Sequence, residues 1–313
     1  MKCDRQSAKR LLVTGASGFL GGHIAHLATG GWRVYGLWHR QRLALPGVEV
    51  VRLDLSDGAA TRRMLDVVRP HVVVHCAALT DLDYCETHPD EAHLVNVEST
   101  RAVARWCGEN GARLVFVSSD MVFDGKRGLY RETDDTNPIN TYGKTKAEGE
   151  RIVSTLCSNH LIARAALIYG RPRTAGSSFS TWIEQRLLAG EPVPLFYDQY
   201  RTPVLVSDLA AALLELCTMN HVGLLHLAGP ERVDRYTFGS CLARTLGYNA
   251  ALLLKRRITD SPTVALRPQD VSLDTTLARA LLATRLHGVE EGLRRMVATE
   301  GEAAALGSQQ EGR

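Results

Sequence analysis

Tyr142 and Lys146 stand four residues apart in the run Thr-Tyr-Gly-Lys-Thr-Lys at residues 141–146. On a helix, residues at that spacing share a face, so a phenol and an ammonium can point into one cleft while Lys144 points elsewhere. A free tyrosine titrates near pH ~10, and a cation within ~4–6 Å lowers such a value by about 1–3 units. A phenol tuned in that way can protonate a carbonyl or deprotonate an alcohol, which is worth ~10²–10⁴ in rate. The apolar run that begins at Leu114 ends in Ser118-Ser119-Asp120. Ligands of open α/β sheets bind outside the carboxyl ends of the strands, so a hydroxyl there can reach the same carbonyl oxygen. A solvated surface helix and two serines that merely end a strand would have the same spelling. Their place in the fold decides between the two.

A second constellation precedes them. Gly15-Ala-Ser-Gly-Phe-Leu-Gly21 follows an apolar run and opens an amphipathic one. The GxxGxxG spacing permits a tight turn, close approach of backbone N–H groups to a pyrophosphate, and a helix N-terminus aimed at negative charge. Gly15, Ser17, Gly18, Phe19, Leu20 and Gly21 are the candidate cofactor residues of this loop; a glycine-rich turn without a ligand has the same spacing. About 20 residues on, an NAD site usually carries an acidic residue for the ribose 2′-hydroxyl. This chain has His39-Arg40 there. A guanidinium suits a 2′-phosphate, so NADPH is favoured with NADH as the second option, and a solvated Arg40 is the alternative.

The elements that position these groups alternate. Strands are expected at Leu11–Thr14, Arg33–Trp38, Val48–Leu53, Val72–Ala77, Leu114–Ser118 and Leu161–Ile168. Helices are expected at Gly18–Leu27, Ala60–Val68, Asp90–Gly108 and from about Thr141 to Leu156. That alternation implies βαβ units, right-handed crossovers and a doubly wound parallel sheet, an α/β fold. After Tyr169-Gly170 the character changes to Pro, Gly and Arg. We therefore expect a dinucleotide-binding domain over 1–170 plus about 204–228, where Val204–Leu216 and Leu224–Ala228 repeat the buried pattern. A smaller substrate region takes 171–203 and 229–296, and 297–313 form a polar tail.

Many of these motifs, in this order, resemble an extended short-chain dehydrogenase/reductase, and within it the dTDP-4-dehydrorhamnose reductase family and the related regulatory subunit of methionine adenosyltransferase. The residues that carry the resemblance are Leu12 to Gly21, Cys76-Ala-Ala-Leu-Thr-Asp81, Val95-Asn96, Ser118 to Gly125, Tyr130-Arg-Glu132 and Pro138. They continue with Tyr142 to Lys146, Arg164, Tyr169-Gly170, Asp198-Gln199, Thr202-Pro203, Asp208-Leu-Ala210 and Arg267-Pro268. The resemblance implies a Rossmann sheet with a smaller C-terminal substrate region. It implies Ser119 rather than Ser118 as the catalytic hydroxyl, Tyr142 as general acid, and Lys146 as the residue that binds the nicotinamide ribose and tunes Tyr142. It places Asp54-Leu55 at the adenine and Ala77-Ala78 beside the cofactor. The implied reaction is reduction of a 4-keto-6-deoxy nucleotide sugar by NADPH. Thr80, Asp120, Met121, Tyr169 and Arg201 are the candidate substrate contacts, and Arg267 a further one. Met121 and Leu167 depart from the family, which has a tyrosine and a tryptophan there, so the identity of the sugar is open. A non-catalytic NADP-binding partner protein and a nucleotide-sugar 4-epimerase are the alternatives. Members of the family often form dimers, which makes a homodimer the assembly to test.

Composition excludes other classes. The chain has 313 residues, 45% hydrophobic and 23% charged, with a formal net charge of +3. Those values suit an ordinary globular protein and give no electrostatic footprint for nucleic acid. No apolar run nears the ~18 residues of a membrane helix, and the one after the basic start stops at Thr14-Gly15. Seven cysteines, at 3, 76, 85, 107, 157, 217 and 241, show no CxxC. Reduced, mostly buried thiols, a cytoplasmic location and no metal site are expected. Cys85 is expected on a loop at the cleft. The basic triplet Lys255-Arg256-Arg257 reads as a solvated face.

Overall fold

Short β-branched runs, each followed by an amphipathic stretch, build a parallel sheet in the computed structural model, which describes residues 8–174, 177–260 and 263–298. The first half runs β1 (Arg10–Thr14), α1 (Phe19–Ala28), β2 (Arg33–Trp38), β3 (Val48–Arg52), α2 (Gly58–Val68), β4 (Val72–His75), α3 (Leu82–Thr87), α4 (Pro89–His93), α5 (Ser99–Asn110) and β5 (Arg113–Ser119). It continues with α6 (Thr141–Leu156), β6 (His160–Ala165), β7 (Ile168–Tyr169), α7 (Phe179–Leu188), β8 (Val193–Phe196), β9 (Tyr200–Arg201), β10 (Val204–Leu205) and α8 (Val206–Thr218). The last part holds β11 (Gly223–Leu227), β12 (Val233–Asp234), α9 (Arg235–Leu246), β13 (Leu253–Arg256) and α10 (Thr276–Leu281), then a helix over 289–298.

Seven strands form the main sheet in the order β11-β6-β5-β4-β1-β2-β3, every pair parallel. Strand order reverses between β1 and β4, which opens a crevice at the carboxyl ends of β1, β4 and β5. Successive residues face opposite sides: Leu11 and Val13 pack with Ile24, Val74, Leu209 and Leu213, whereas Leu12 packs with Leu65, Val73, Trp106, Leu114 and Phe116. Both faces are covered, as a parallel sheet requires. A third cluster lies outside the sheet, with Ile183, Leu195, Phe238, Leu242 and Leu293 around Tyr169.

Several details differ from the sequence-based expectations. β4 stops at His75 because the N–H groups of Cys76 and Ala77 both turn to Thr14 Oγ1, at 3.1 Å each. The expected helix Asp90–Gly108 is interrupted by a π-helical turn at Leu94–Glu98. The strand expected to reach Ile168 breaks after Ala165, and Ile168 pairs instead with Val204. Cys85 sits buried on α3, not on a loop, because Asp81 caps that helix by accepting from Tyr84 N–H. Ala278 and Leu286 pack into the first sheet cluster, so part of 229–296 lies on the sheet domain instead of wholly in the smaller region. The final helix includes residues 297 and 298, which the expected tail had claimed; 299–313 and Cys3 fall outside the described residues. The six described cysteines are all free, and four of them are buried. No helix among the described residues is long and apolar enough to cross a membrane.

The C-terminal cluster is centred on Phe238, fully enclosed and 5.1 Å from the Tyr169 ring. Phe238→Ala should cost about 3–5 kcal/mol in urea unfolding, with the slope unchanged. A loss below about 1 kcal/mol would detach this cluster from the cooperative core.

Candidate active site

The glycine loop closes on the sheet at distances that admit no side chain. Gly15 has φ +64°, and a Cβ there would stand 2.9 Å from Ala77 N. A Cβ on Gly21 would lie 2.2 Å from Gly15 O, and one on Gly18 3.1 Å from the same oxygen. Glycine is the residue that tolerates both the left-handed turn and the contact. Gly18 caps α1 with no side-chain acceptor, which leaves the first-turn N–H groups facing the crevice. Thr14 Oγ1 anchors the opposite wall through Cys76 and Ala77, and lies 2.8 Å from His75 Nδ1. Burial pushes His75 down to about 3, so this network is neutral. Asn96, in the π-helical turn, accepts from Leu79 N–H at 2.7 Å and donates to Leu79 O and Thr145 Oγ1, at 3.0 Å each. It ties the loop after β4 to α6. Sequence reasoning gave it no role beyond the resemblance; a buried polar side chain on an apolar helix face is its only signal.

At the end of β5 the three candidate catalytic residues converge. Ser119 and Tyr142 line the same wall, close enough for the Ser119 hydroxyl to ease ionisation of the phenol, and Ser119 Oγ donates to Asp120 Oδ1 at 3.0 Å. Asn140 starts α6 by accepting from Gly143 N–H at 2.8 Å, which sets Tyr142 in the first turn. Lys146 follows one turn on, 3% exposed, with Nζ 4.2 Å from the Phe116 ring centroid. Ser118 is turned away: its hydroxyl donates to Glu150 Oε1 at 2.6 Å, and Arg164 grips Glu150 in two bonds of 2.9 and 2.7 Å. Neither Glu150 nor the use of Arg164 was anticipated. The residue four beyond Lys146 on the same helix face is where to look.

The electrostatics correct one expectation. Burial pushes the Tyr142 phenol up from its ordinary value, and the nearby Asp120 charge adds to this; only the Ser119 hydrogen bond acts the other way. Burial also pulls Lys146 down to about 8, against the Glu150 charge that favours the ammonium. Its ammonium lies over the Phe116 ring, and it lines the same cavity as Tyr142.

Two cavities meet at Phe179. The larger, about 880 Å³, is lined by Gly15, Ser17, Gly18, Phe19, Leu20 and Gly21 from the loop, and by His39, Arg40, Asp54 and Leu55 beyond it. Ala77, Ala78, Thr80, Ser119, Tyr142 and Lys146 line its other side, and Leu167 contributes as well. The smaller, about 410 Å³, has Met121, Arg201, Arg235 and Arg267 with the rings of Phe179, Trp182 and Phe196. Arg201 is fully buried, 3.8 Å from Asp120 and bonded to the carbonyls of Tyr200, Pro268 and Gln269. Burial weighs against the Arg201 and Arg235 cations, Arg267 adds to the burden of both, and Arg201 adds to that of Arg235. An anion in this cavity relieves that cost. Burial likewise raises Asp120. Arg235, Phe179 and Trp182 were missed by sequence reasoning, because α7 and α9 carry no motif that marks them. Two substrate candidates line neither cavity: Asp120 is buried behind Ser119 and Arg201, and the Tyr169 ring lies wholly inside the C-terminal cluster against Phe238. Lys255 and Arg257 cover the Tyr236 and Tyr197 rings.

A doubly wound parallel sheet, a glycine loop at the first βα junction and a Ser–Tyr–Lys set on β5 and α6 define an extended short-chain dehydrogenase/reductase. More narrowly, the chain belongs to the RmlD substrate binding domain family, whose model matches residues 9–301. It is 31% identical over 285 residues to the probable low-salt glycan biosynthesis reductase Agl14 of Haloferax volcanii, covering 90% of this chain and 95% of that one. It is 33% identical over 281 residues to methionine adenosyltransferase 2 subunit beta of Bos taurus, covering 87% and 82%. The dTDP-4-dehydrorhamnose reductase of Bacillus anthracis, crystallised in complex with NADP, superposes with a TM-score of 0.81 at 25% identity, covering 93% of this chain and 99% of that one.

The buried lysine has a consequence in solution. Between about pH 8 and 10.5 the unfolded chain keeps a proton on Lys146 that the folded protein has released, so stability rises with pH across that window. Relative to Lys146→Met, the wild type should gain about 2 kcal/mol in urea unfolding from about pH 7.5 to about pH 9.5. Parallel pH profiles for the two proteins would show that Lys146 titrates at its ordinary value.

Proposed function

We propose that this chain is an NADPH-dependent reductase of a 4-keto-6-deoxy sugar carried on a nucleoside diphosphate. One observation carries the reading: Ser119, Tyr142 and, one helical turn on, Lys146 share the wall of a cavity that the glycine loop also lines. The residues present fit a dinucleotide. The uncapped α1 N-terminus and the backbone approach at Gly15 suit a pyrophosphate, and about 880 Å³ accommodates the remainder. The relationship to a reductase crystallised with NADP supports it. The smaller cavity supports the nucleotide sugar, since Arg201, Arg235 and Arg267 suit a diphosphate and Phe179, Trp182 and Phe196 offer flat surfaces to a base or sugar.

When bound, the reduced nicotinamide supplies the hydride for C4 of the keto sugar. The electron pair of the C4 carbonyl moves onto its oxygen, which takes the proton of Tyr142 Oη. Ser119 Oγ donates a hydrogen bond to the same oxygen as charge develops there. The raised phenol keeps its proton in the resting state, which is the form the reduction consumes. Met121 at the smaller cavity and Leu167 at the larger one stand where the resembling family has a tyrosine and a tryptophan, which removes aromatic surface from the cleft.

A second reading is favoured by the same phenol. Burial holds the phenol above its ordinary value, which suits a protein that binds the coenzyme without turning over, and a relative at 33% identity is named as a subunit beta. Oxidation of NADPH across a panel of 4-keto nucleotide sugars separates the two. The wild type should turn over, and Tyr142→Phe should lose ~10²-fold or more in turnover with NADPH affinity within about two-fold. Unchanged turnover would remove Tyr142 as the proton donor, and tight NADPH binding with no turnover on any sugar would establish the partner-protein role.

A further inference from the structure

Where β2 runs out, Arg40 already has a carboxylate partner. Its Nη2 donates to Glu91 Oε1 at 3.1 Å, and the other carboxylate oxygen accepts from the Tyr84 hydroxyl at 2.5 Å. Tyr84 in turn stacks on His88, ring centroids 4.2 Å apart and planes within 11°. Glu91 stands in the first turn of α4, and both it and Arg40 line the larger cavity. The two partners are unequal: the Arg40 side chain is 70% exposed, whereas that of Glu91 is 32% exposed and held by Tyr84 as well. The hydroxyl of Tyr84 and then Arg40 hold the Glu91 carboxyl below the usual carboxylate range, so it carries its charge at neutral pH. Beside this pair, His39 Nε2 lies 3.5 Å from Asp54 Oδ2, which brings a second carboxylate to the same wall.

We propose that Glu91 is a coenzyme-specificity residue, competing with a ribose 2′-phosphate for Arg40 and offering a ribose 2′-hydroxyl an acceptor. A 2′-phosphate of NADPH must draw the guanidinium away from a carboxylate that stays in place and repels it. NADH lacks that phosphate and meets only the acceptor. The cleft therefore takes NADH alongside NADPH, although the strand end carries an arginine and no acid. This rests on the coenzyme reading given above and extends it to a residue 51 positions away in sequence from the arginine it restrains.

Isothermal titration of the full-length protein with NADPH and with NADH tests it, using the wild type, Glu91→Gln, Arg40→Ala and the double variant. Glu91→Gln keeps the side chain's size while removing its charge, and leaves one acceptor oxygen where the carboxylate had two. It should tighten NADPH by about five-fold and leave NADH unchanged or weaker, on the scale of one exposed charge pair. In the Arg40→Ala background the gain should vanish, since the competition has lost its object. Equal changes for both coenzymes, no change for either, or a gain that persists without Arg40 would overturn the role of Glu91. A wild type that binds neither coenzyme would instead overturn the coenzyme reading itself. Tyr84→Phe, which loosens Glu91 without touching its charge, should give a smaller shift in the same direction.

Discussion

Helix α6 can lie flush on β5 because two of its residues have no side chain. A Cβ on Gly149 would stand 2.8 Å from Phe116 Cζ, and one on Gly143 would stand 2.2 Å from Met121 O. That contact brings the first turn of the helix over the carboxyl end of the strand, so that Tyr142 meets Ser119. The seat is then locked from several sides. Asn140 donates to Leu266 O, Glu86 accepts from Thr141 N–H, and Asn96 donates to Thr145. Below them Glu150 bridges Ser118 on β5 and Arg164 on β6. Removing one partner from such a buried pair strands a charge, which is why these contacts hold the geometry rigidly.

The same packing sets the charge pattern of the cleft. Lys146, Arg201 and Arg235 are cations whose burial opposes their charge. Glu150 and Asp120 offset part of that cost, yet the Asp120 Oδ2 atom, among the described residues, is buried with no hydrogen-bond partner. A protein that leaves such groups imperfectly paired gains stability when an anionic ligand arrives, because the ligand binds the folded state alone. The neutral network of Thr14, His75 and Thr100 contributes the opposite property: it fixes the floor of the crevice without adding charge.

Much of this was legible in the sequence, for reasons that differ by residue. The glycine loop could be read because Gly15 and Gly21 answer to backbone geometry, which leaves a spacing. The Tyr142–Lys146 interval could be read because helical periodicity is local. The parallel, doubly wound sheet followed from the alternation of strands with helices. What could not be read depends on contacts distant in the chain. Tyr169 sits in a family-matching segment, but its burial is decided by Phe238, 69 residues further on. Arg40 was assigned by its place after β2, and its partner Glu91 comes from a different helix. Arg235 and Trp182 reach the smaller cavity from helices whose sequences carry no motif, and the phenol of Tyr142 is raised by burial, which spacing alone does not reveal.

A single isotope experiment reaches the centre of the account. The protein is incubated with NADPH deuterated at the transferable C4 position of the nicotinamide, together with a dTDP-linked 4-keto-6-deoxy sugar, and the recovered sugar is examined by NMR. Deuterium at C4 of the sugar is the result that a cleft arranged around Ser119 and Tyr142 requires. A keto sugar recovered unreduced across the panel of nucleotide sugars, from a protein shown to hold both ligands, would contradict it.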